Sequence, residues 1–451
     1  MNRRDRRAGA KQGNVDAICA AAAALKAQGR LEEAVQRYRE ALAVAPRSAI
    51  AHNNLANVLT LLGRIDEAAG HLRQALAASP TAVEVHNNLG NALKRLGDTT
   101  GAIAHYRAAI AAKPDYADAH LNLGSTLTTL GETEAAIAHL HTALRLRPFH
   151  TETHVQLGLA LADRGDTVAA LGCAEIAARA AEEPGFPHRL LGVLLARCGA
   201  LDAARACFDA AQARDPTDDG IALLLAGIGA APLPARISDR QNAAIYAERA
   251  GRWDAGASGP TGYRGATLVA EALARLVPDA PLDIADAGCG TGLVGALVKP
   301  RARKLDGVDL SDAMLAQARA KGIYDALHRA DLIEYLAARP AAYDAITCAA
   351  TLIHFGDLAP ALAAAAAALR DNGVLVATLF PDDRNPDGFS VGSLDGLAQG
   401  GCFVHGRGYV TGAAAAAGFA VELLDEAVHE HQLGRPRTAL VVGLRRRPRA
   451  G

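Results

Sequence analysis

The sequence predicts two folds in series, an all-α solenoid of helical repeats followed by an α/β domain built on a parallel sheet. A 34-residue period fills the first half of the 451-residue chain, and strand and helix patterns alternate in the second half. The length also exceeds what one hydrophobic core usually supports. We therefore expect a solenoid over residues 15–218, a capping helix and linker over 219–236, and the sheet domain over 237–451.

The repeat appears as columns of one residue type when the first half is written in rows of 34. A glycine column contains Gly29, Gly63, Gly97, Gly131, Gly165 and Gly199. An alanine column contains Ala34, Ala68, Ala102, Ala136, Ala170 and Ala204. A proline column contains Pro46, Pro80, Pro114, Pro148 and Pro216, with Glu182 in the fifth row. Each row predicts two amphipathic helices, because the glycine ends the first helix and the proline follows the second.

Period, turn glycine, small alanine and terminal proline together strongly resemble the tetratricopeptide repeat, in about six copies over residues 15–218. The resemblance implies a surface that binds a protein or peptide partner. Asn54, Asn88 and Asn122, continued by Gln156, form a further column that resembles the asparagine ladder of O-linked N-acetylglucosamine transferases. Their amides could hold a partner's main chain, since an amide is both donor and acceptor, or could tie adjacent repeats together.

The second half contains a glycine-rich turn, in the stretch IADAGCGTGLVG at residues 284–295. Strands that alternate with helices predict a parallel sheet, and such sheets bind ligands beyond the carboxyl ends of their strands. Gly288, Gly290 and Gly292 follow a predicted strand and allow the main chain to turn sharply and approach a ligand. The turn is therefore the candidate nucleotide site.

Two nucleotide chemistries compete for this turn. From Gly290 the letters GTGLVG match a nicotinamide-binding turn, but such a turn starts at the first glycine after the strand, Gly288, and that frame fails at Leu293. The acid before the glycines, Asp286, would repel a pyrophosphate, whereas it would attract the cationic amino group and sulfonium of S-adenosylmethionine. Asp309, at the end of the next strand, suits the ribose hydroxyls in both cases. The charge of Asp286 favours the methyl donor.

The stretches DAGCGTG, GVDLS, RADL, YDAITCAATLIHF and LRDNGVLVATLF together resemble a class I S-adenosylmethionine-dependent methyltransferase, with a Rossmann-like α/β fold, over about residues 240–447. The resemblance implies S-adenosyl-L-methionine as the cofactor. It places Asp286 and the three glycines at the methionine part and Asp309 at the ribose. It also places Leu310 at one adenine face, with Asp331 and Leu332 at the adenine edge.

The segment before the first strand is similar to that of bacterial predicted methyltransferases fused to tetratricopeptide repeats. By that likeness, Tyr246, Trp253 and Tyr263 belong to a segment that covers the cofactor. The alternative is that these aromatic side chains form the core of the lead-in helix.

Histidine is the natural base if the methyl acceptor is a hydroxyl or an amine. His354 follows the fourth strand, and His405 lies in an insertion before the last helix, so both are candidate catalytic residues. His429 and His431 lie on an alternating strand and are expected to face solvent. Five more histidines recur at the repeat period and are expected to pack or hydrogen-bond between helices: His52, His86, His120, His154 and His188.

Composition excludes several classes of function. A net charge of −1 gives no basic surface for nucleic acid. The seven cysteines form no C-x-x-C pair and no metal-ligand spacing with histidine, so we expect no metal and a reducing, cytoplasmic location. The sequence has no apolar run long enough to predict a membrane span.

We therefore expect a cytoplasmic enzyme that transfers a methyl group from S-adenosylmethionine to an unidentified acceptor, joined to a solenoid that binds a protein. Removing the chain before residue 237 is expected to leave cofactor binding intact. Two alternatives stay open: a non-catalytic repeat scaffold with a vestigial methyltransferase fold, and a nicotinamide-dependent oxidoreductase.

Overall fold

The chain divides into two compact units, Met1–Pro187 and His188–Gly451. The computed structural model describes residues 3–180, 185–250, 253–256, 262–392, 402–432 and 435–448, so Glu182 of the proline column lies outside the described residues. The first unit carries the helices of the first five rows. The second carries the sixth row, the expected cap and linker, and the sheet domain.

The first unit is built from helices throughout its described residues. They are α1 Arg3–Ala27, α2 Leu31–Val44, α3 Ala49–Leu61, α4 Ile65–Ala78, α5 Val83–Arg95, α6 Thr99–Ala112, α7 Ala117–Leu130, α8 Thr133–Leu146, α9 Thr151–Asp163 and α10 Thr167–Ala178. The sixth row supplies α11 His188–Arg197 and α12 Leu201–Arg214 in the second unit. Two helices in every row confirm the predicted repeat.

The columns of the sequence explain the helix boundaries and the packing. All six column glycines have positive φ, between 75° and 87°, which other residues rarely adopt. All six column alanines are fully buried, because the two helices of a repeat approach each other there. A side chain at Gly90 on the first helix of a repeat would collide with the ring of Tyr106 on the second. Small residues on one helix therefore accommodate large ones on its partner.

The asparagine column ties neighbouring repeats together. The amide nitrogen of Asn88 donates to Oδ1 of Asn53 at 2.9 Å, and that of Asn122 donates to Oδ1 of Asn87 at 2.9 Å. Asn54, in the first row of the column, is half-buried. The sequence left two roles open for this column, partner binding and hydrogen bonding between adjacent repeats. Asn88 and Asn122 form the hydrogen bonds between repeats.

Pairs of histidines join the two helices of three successive repeats. Nε2 of His52 lies 3.0 Å from the carbonyl oxygen of Pro46, so this nitrogen carries the proton and donates it. Nδ1 of His52 then accepts from Nδ1 of His71, at 3.0 Å. The same arrangement recurs at His86 with His105 and at His120 with His139.

The second unit continues with helices α13 Gly220–Gly227, α14 Asp239–Arg249, α15 Trp253–Gly256 and α16 Gly265–Leu276. Strands and helices then alternate as β1 Leu282–Ala287, α17 Leu293–Val298, β2 Ala302–Asp309, α18 Asp312–Lys321, β3 Ala326–Arg329, α19 Leu332–Ala337, β4 Tyr343–Cys348, α20 Ala359–Ala368 and β5 Leu369–Leu379. The remaining elements are β6 Phe389–Val391, β7 Phe403–His405, α21 Arg407–Ala416, β8 Phe419–Gln432 and β9 Arg435–Arg446.

Seven strands form one sheet in the order β3-β2-β1-β4-β5-β9-β8. The first five in this order are parallel, and β9 and β8 are antiparallel to their neighbours. Neighbouring residues of β1 face opposite sides, since Ile284 packs in the cluster with α16 and α17 while Ala285 packs in the cluster with α19, α20 and α21. Helices cover both faces, which confirms the predicted α/β fold. The chain reverses its direction of winding beside β1 and β4, where such sheets bind ligands.

None of the helices in the described ranges is long and apolar enough to cross a membrane.

Candidate functional site

A pocket opens in the second unit beyond the carboxyl ends of β1, β2, β3 and β4. Its empty volume is about 940 Å³, part of which is open solvent. Its lining includes eight of the residues that the sequence assigned to a cofactor or to catalysis: Tyr246, Gly288, Gly290, Asp309, Leu310, Asp331, Leu332 and His354. Asp286, Gly292 and His405 do not line it.

The glycine turn adopts backbone conformations that favour glycine. Gly288, Gly290 and Gly292 have φ of 73°, 53° and 90°. A Cβ at Gly288 would collide with the side chain of Thr351, whereas a Cβ at Gly290 would meet nothing within 4 Å. Gly292 faces the ring of Tyr324 instead of the pocket. The turn therefore brings bare main chain to the pocket at Gly288 and Gly290.

Asp309 fixes the turn from the end of β2. Its carboxylate accepts from the backbone N–H of Gly290 at 2.9 Å and from that of Ser311 at 2.8 Å. Burial raises its pKa, and these backbone hydrogen bonds offset part of the effect. A carboxylate oxygen can accept more than one hydrogen bond, so Asp309 can hold the turn and still receive hydroxyl donors from a ligand.

Asp286 lies behind the turn, where it is 1% exposed. Its carboxylate accepts from the hydroxyl of Tyr324 at 2.6 Å and from that of Thr347 at 3.0 Å. Burial raises its pKa to about 6, although these hydroxyls favour the charged form. The sequence suggested that Asp286 borders the ligand, but the structure places it behind the pocket, where its influence is through its charge and through the shape of the turn.

Asp331, which was expected at the adenine edge, is already hydrogen-bonded to other groups of the protein. One oxygen of Asp331 accepts from the backbone N–H groups of Ile333 and Glu334, at 2.9 and 3.1 Å, because Asp331 caps α19. The other accepts from Arg236 at 2.7 Å. Sequence reasoning missed Arg236, since it lies 95 residues from its partner and no local motif marks it.

The linker contributes to the pocket through its main chain as well. Backbone N–H groups of Gly356 and Asp357 donate to the carbonyl of Ala235, at 2.8 and 3.0 Å, and that of Ile237 donates to His354 at 2.9 Å. Arg236 and Ile237 both line the pocket. A cut before residue 237 would remove Arg236 and the hydrogen bonds of Ala235 from this pocket, and its effect on cofactor binding stays a prediction.

A histidine and a tyrosine meet at the β4 end of the pocket. The hydroxyl of Tyr246 lies 2.7 Å from Nε2 of His354. Trp253 packs edge-on against Tyr246 at 5.7 Å between ring centroids, and Tyr263 packs against Trp253 at 5.7 Å. All four side chains line the pocket. The structure thus brings the aromatic lead-in residues together with one of the two candidate bases.

The other candidate base, His405, is fully buried outside the pocket. Its Nε2 donates to the carbonyl oxygen of Phe355 at 2.8 Å, and burial lowers its pKa to about 4. Because His405 is enclosed and does not line the pocket, its imidazole cannot reach a substrate there, and its hydrogen bond anchors the segment after His354. His429, which was expected to face solvent, is 2% exposed and packs against Tyr263 and Phe380.

The described lining of the pocket is acidic. Asp239, Asp309 and Asp331 contribute carboxylates, and Arg236 contributes the one guanidinium. Such a lining attracts a cation and repels a pyrophosphate. Among the residues that the structure describes, no three His, Cys, Asp or Glu side chains form a group that could hold a metal ion.

Family models match both halves of the chain. A model described as a methyltransferase domain matches residues 285–375, and one described as a tetratricopeptide repeat matches residues 19–83, 87–151 and 155–219.

Curated relatives match parts of the second half. The ubiquinone biosynthesis O-methyltransferase of Bordetella pertussis is 34% identical over 111 residues, which is 24% of this chain and 45% of that protein. The enzyme of the same name from Sodalis glossinidius is 33% identical over 109 residues, 23% of this chain and 43% of that protein. Methyltransferase-like protein 27 of Homo sapiens is 43% identical over 68 residues, 14% of this chain and 28% of that protein. The chain thus spans less than half the length of these relatives.

Solved structures match the repeats. PilF of Pseudomonas aeruginosa is 23% identical, covering 46% of this chain and 95% of that one with a TM-score of 0.40. A tetratricopeptide repeat protein of Thermus thermophilus is 24% identical, covering 39% and 95% with a TM-score of 0.36. The family models thus identify a tetratricopeptide repeat region within residues 19–219 and a methyltransferase domain at residues 285–375 of this chain.

Proposed function

We propose that the second unit transfers a methyl group from S-adenosylmethionine to a hydroxyl acceptor, and that the repeats bind a protein partner. The observation that carries the proposal is the acidic pocket at the glycine turn. A cationic methyl donor fits a lining with three carboxylates and one guanidinium, whereas the pyrophosphate of a nicotinamide cofactor does not.

Different residues of the pocket would hold different parts of the methyl donor. The bare main chain at Gly288 and Gly290 can approach the methionine part, and the buried charge of Asp286 lies directly behind that turn. Asp309 accepts the ribose hydroxyls, while Leu310 and Leu332 border the adenine. When bound, S-adenosylmethionine supplies a methyl group that is already activated by its sulfonium, so positioning supplies much of the catalysis.

Tyr246 and His354 form the proposed base. Their hydrogen bond of 2.7 Å allows the phenol to pass its proton to Nε2 while it takes the proton of an acceptor hydroxyl in the pocket. Such a relay suits oxygen as the methylated atom, because a hydroxyl becomes a good nucleophile only as it loses its proton. The curated relatives named O-methyltransferases support the same assignment.

The repeats are proposed to bind a protein or peptide. Tetratricopeptide repeats generally have this role, and the column of Asn54, Asn88 and Asn122 stays our prediction for the contact residues, although two of its amides already tie repeats together.

Calorimetric titration of the whole chain with S-adenosylmethionine, S-adenosylhomocysteine and NADH tests the proposal. The whole chain is used because Arg236 and Ala235 belong to the site. We expect micromolar binding of the two adenosyl compounds alone. Binding of NADH alone would identify an oxidoreductase, and binding of none of the three would favour a scaffold whose methyltransferase fold has lost its ligand.

A further inference from the structure

Asn242 is a buried polar side chain in the wall of the pocket that neither the sequence nor the comparisons assign. It lies on α14 and is 9% exposed. Its Oδ1 is enclosed, and no donor among the described residues reaches it. A buried amide oxygen without a donor is costly, so natural proteins rarely keep one unless a ligand or an ordered water supplies the hydrogen bond.

Helix α14 lines the pocket, and the residues just before it contact the segments that follow both β3 and β4. Near its start, Asp239 lies beside Arg236, which binds Asp331 after β3. Two turns later, Tyr246 contacts His354 after β4. Asn242 comes three residues after Asp239 and four before Tyr246, so the three side chains share one face of the helix. The amide of Asn242 therefore lies on the pocket face of α14, between Asp239 and Tyr246.

Asp331 can accept a further hydrogen bond from the amine of a nucleobase, but a carboxylate has no donor for the ring nitrogen beside that amine. Both oxygens of Asp331 are engaged, one by backbone N–H groups of its own helix and the other by Arg236. The amide of Asn242 offers an acceptor and a donor side by side. That pair matches the amine and the adjacent ring nitrogen of adenine, the same complementarity by which asparagine binds adenine in DNA.

We propose that Asn242 recognises the adenine edge of the cofactor, with the Arg236–Asp331 ion pair closing that end of the pocket. The proposal rests on the proposed function, because it names the base that a nucleoside methyl donor presents. A ligand whose base lacks the amine would leave Oδ1 of Asn242 without a donor. We expect discrimination of about 10- to 100-fold against such a base.

The test is calorimetry on the whole chain with S-adenosylhomocysteine and its analogue with an unsubstituted purine base, in which hydrogen replaces the adenine amine. The wild type should prefer the adenosyl compound by about 10- to 100-fold. In Asn242→Ala and in Asn242→Leu, which keeps the volume of the side chain, the preference should fall to near unity through loss of adenosyl binding. Both variants should be at least as thermally stable as the wild type without ligand, because each removes an unpaired buried acceptor.

Asp331→Ala is the matched comparison, since Asp331 is the residue that the family resemblance places at the adenine edge. We expect it to weaken both ligands while the adenosyl preference persists. A preference that survives in the Asn242 variants, or disappears only in Asp331→Ala, would overturn the inference and leave the proposed function standing. Failure of the wild type to bind either ligand would refute the proposed function, and the inference with it.

Discussion

Replacing Asp286 by asparagine should stabilise the second unit at neutral pH. Asp286 is a charge buried behind the glycine turn, and burial raises its pKa from the ordinary 3.8 to about 6. Besides the backbone N–H of Gly295, its hydrogen-bond partners are the hydroxyls of Tyr324 and Thr347, and hydroxyls can rotate either to donate or to accept. An asparagine at this position can therefore keep hydrogen bonds to both without carrying a charge.

The size of the effect follows from the pKa. Between pH 3.8 and about 6 the folded chain keeps a proton on Asp286 that the unfolded chain releases. The stability associated with this proton is fully present below pH 3.8 and is lost as the pH rises through about 6. One pKa unit corresponds to about 1.4 kcal/mol, so the loss above pH 6 is at most about 3 kcal/mol. Asp286→Asn should recover part of it and raise Tm by about 2–4 °C per kcal/mol.

Thermal and urea unfolding at about pH 5 and 7.5 measures this difference. Trp253, the single tryptophan of the chain, lies in the pocket, so its fluorescence follows the second unit. Asp283→Asn is the matched control from the same strand. Ion pairs with Arg303 and Arg370 lower the pKa of Asp283, so its replacement should destabilise the fold at neutral pH. An Asp286→Asn variant that is less stable than the wild type at pH 7.5 would refute the reasoning.

Three further predictions concern the ribose, the base and the histidine pairs. Asp309→Ala should weaken binding of S-adenosylhomocysteine by about 10- to 100-fold, since hydrogen bonds to a charged group contribute about 1.5–3 kcal/mol. Calorimetry measures this affinity, with Asp312→Ala, at an exposed position, as the control. Equal affinities of Asp309→Ala and the control would show that Asp309 does not hold the ribose. His354→Ala should lower kcat about 100- to 10,000-fold and leave that affinity unchanged, whereas a loss confined to affinity would make His354 a binding residue. Acidification should destabilise the first unit. Burial and the paired imidazole lower the pKa of one histidine in each pair below its ordinary value of 6.5. The associated stability is therefore present above pH 6.5 and is lost as the pH falls below it. Glutamine at these three positions can still donate, and should remove the pH dependence from urea unfolding followed by circular dichroism. The positions are His71, His105 and His139.

The sequence predicts the repeats well because their determinants are local and periodic. Each turn glycine lies within two residues of a helix end, and each column alanine faces its own helix partner. The glycine turn with Asp309 is predictable for the same reason, since both follow directly from strand ends. The sequence does not predict which side-chain oxygen or nitrogen faces the pocket, because this depends on neighbours that are distant in the chain.

Asp286 and the histidines illustrate that limit. Asp286 faces Tyr324 and Thr347, which lie 38 and 61 residues away. His429 lies in an alternating pattern that predicts a solvent-exposed side chain, yet Tyr263 and Phe380 cover it. His405 was expected to contact a substrate, yet it is fully buried outside the pocket. Alternation predicts which residues share a face of a strand, but not whether another element covers that face.

The joint between the last repeat and the methyltransferase domain, residues 217–240, is fixed by hydrogen bonds. Asp219 at the start of α13 accepts from Ser238, and the carbonyl of Thr217 accepts from Arg240 at the start of α14. The same joint supplies Arg236 to Asp331. Exchange of the repeats for another module therefore has to keep residues 217–240 with the methyltransferase domain, because a graft at the boundary predicted from the sequence would remove Arg236 from the pocket.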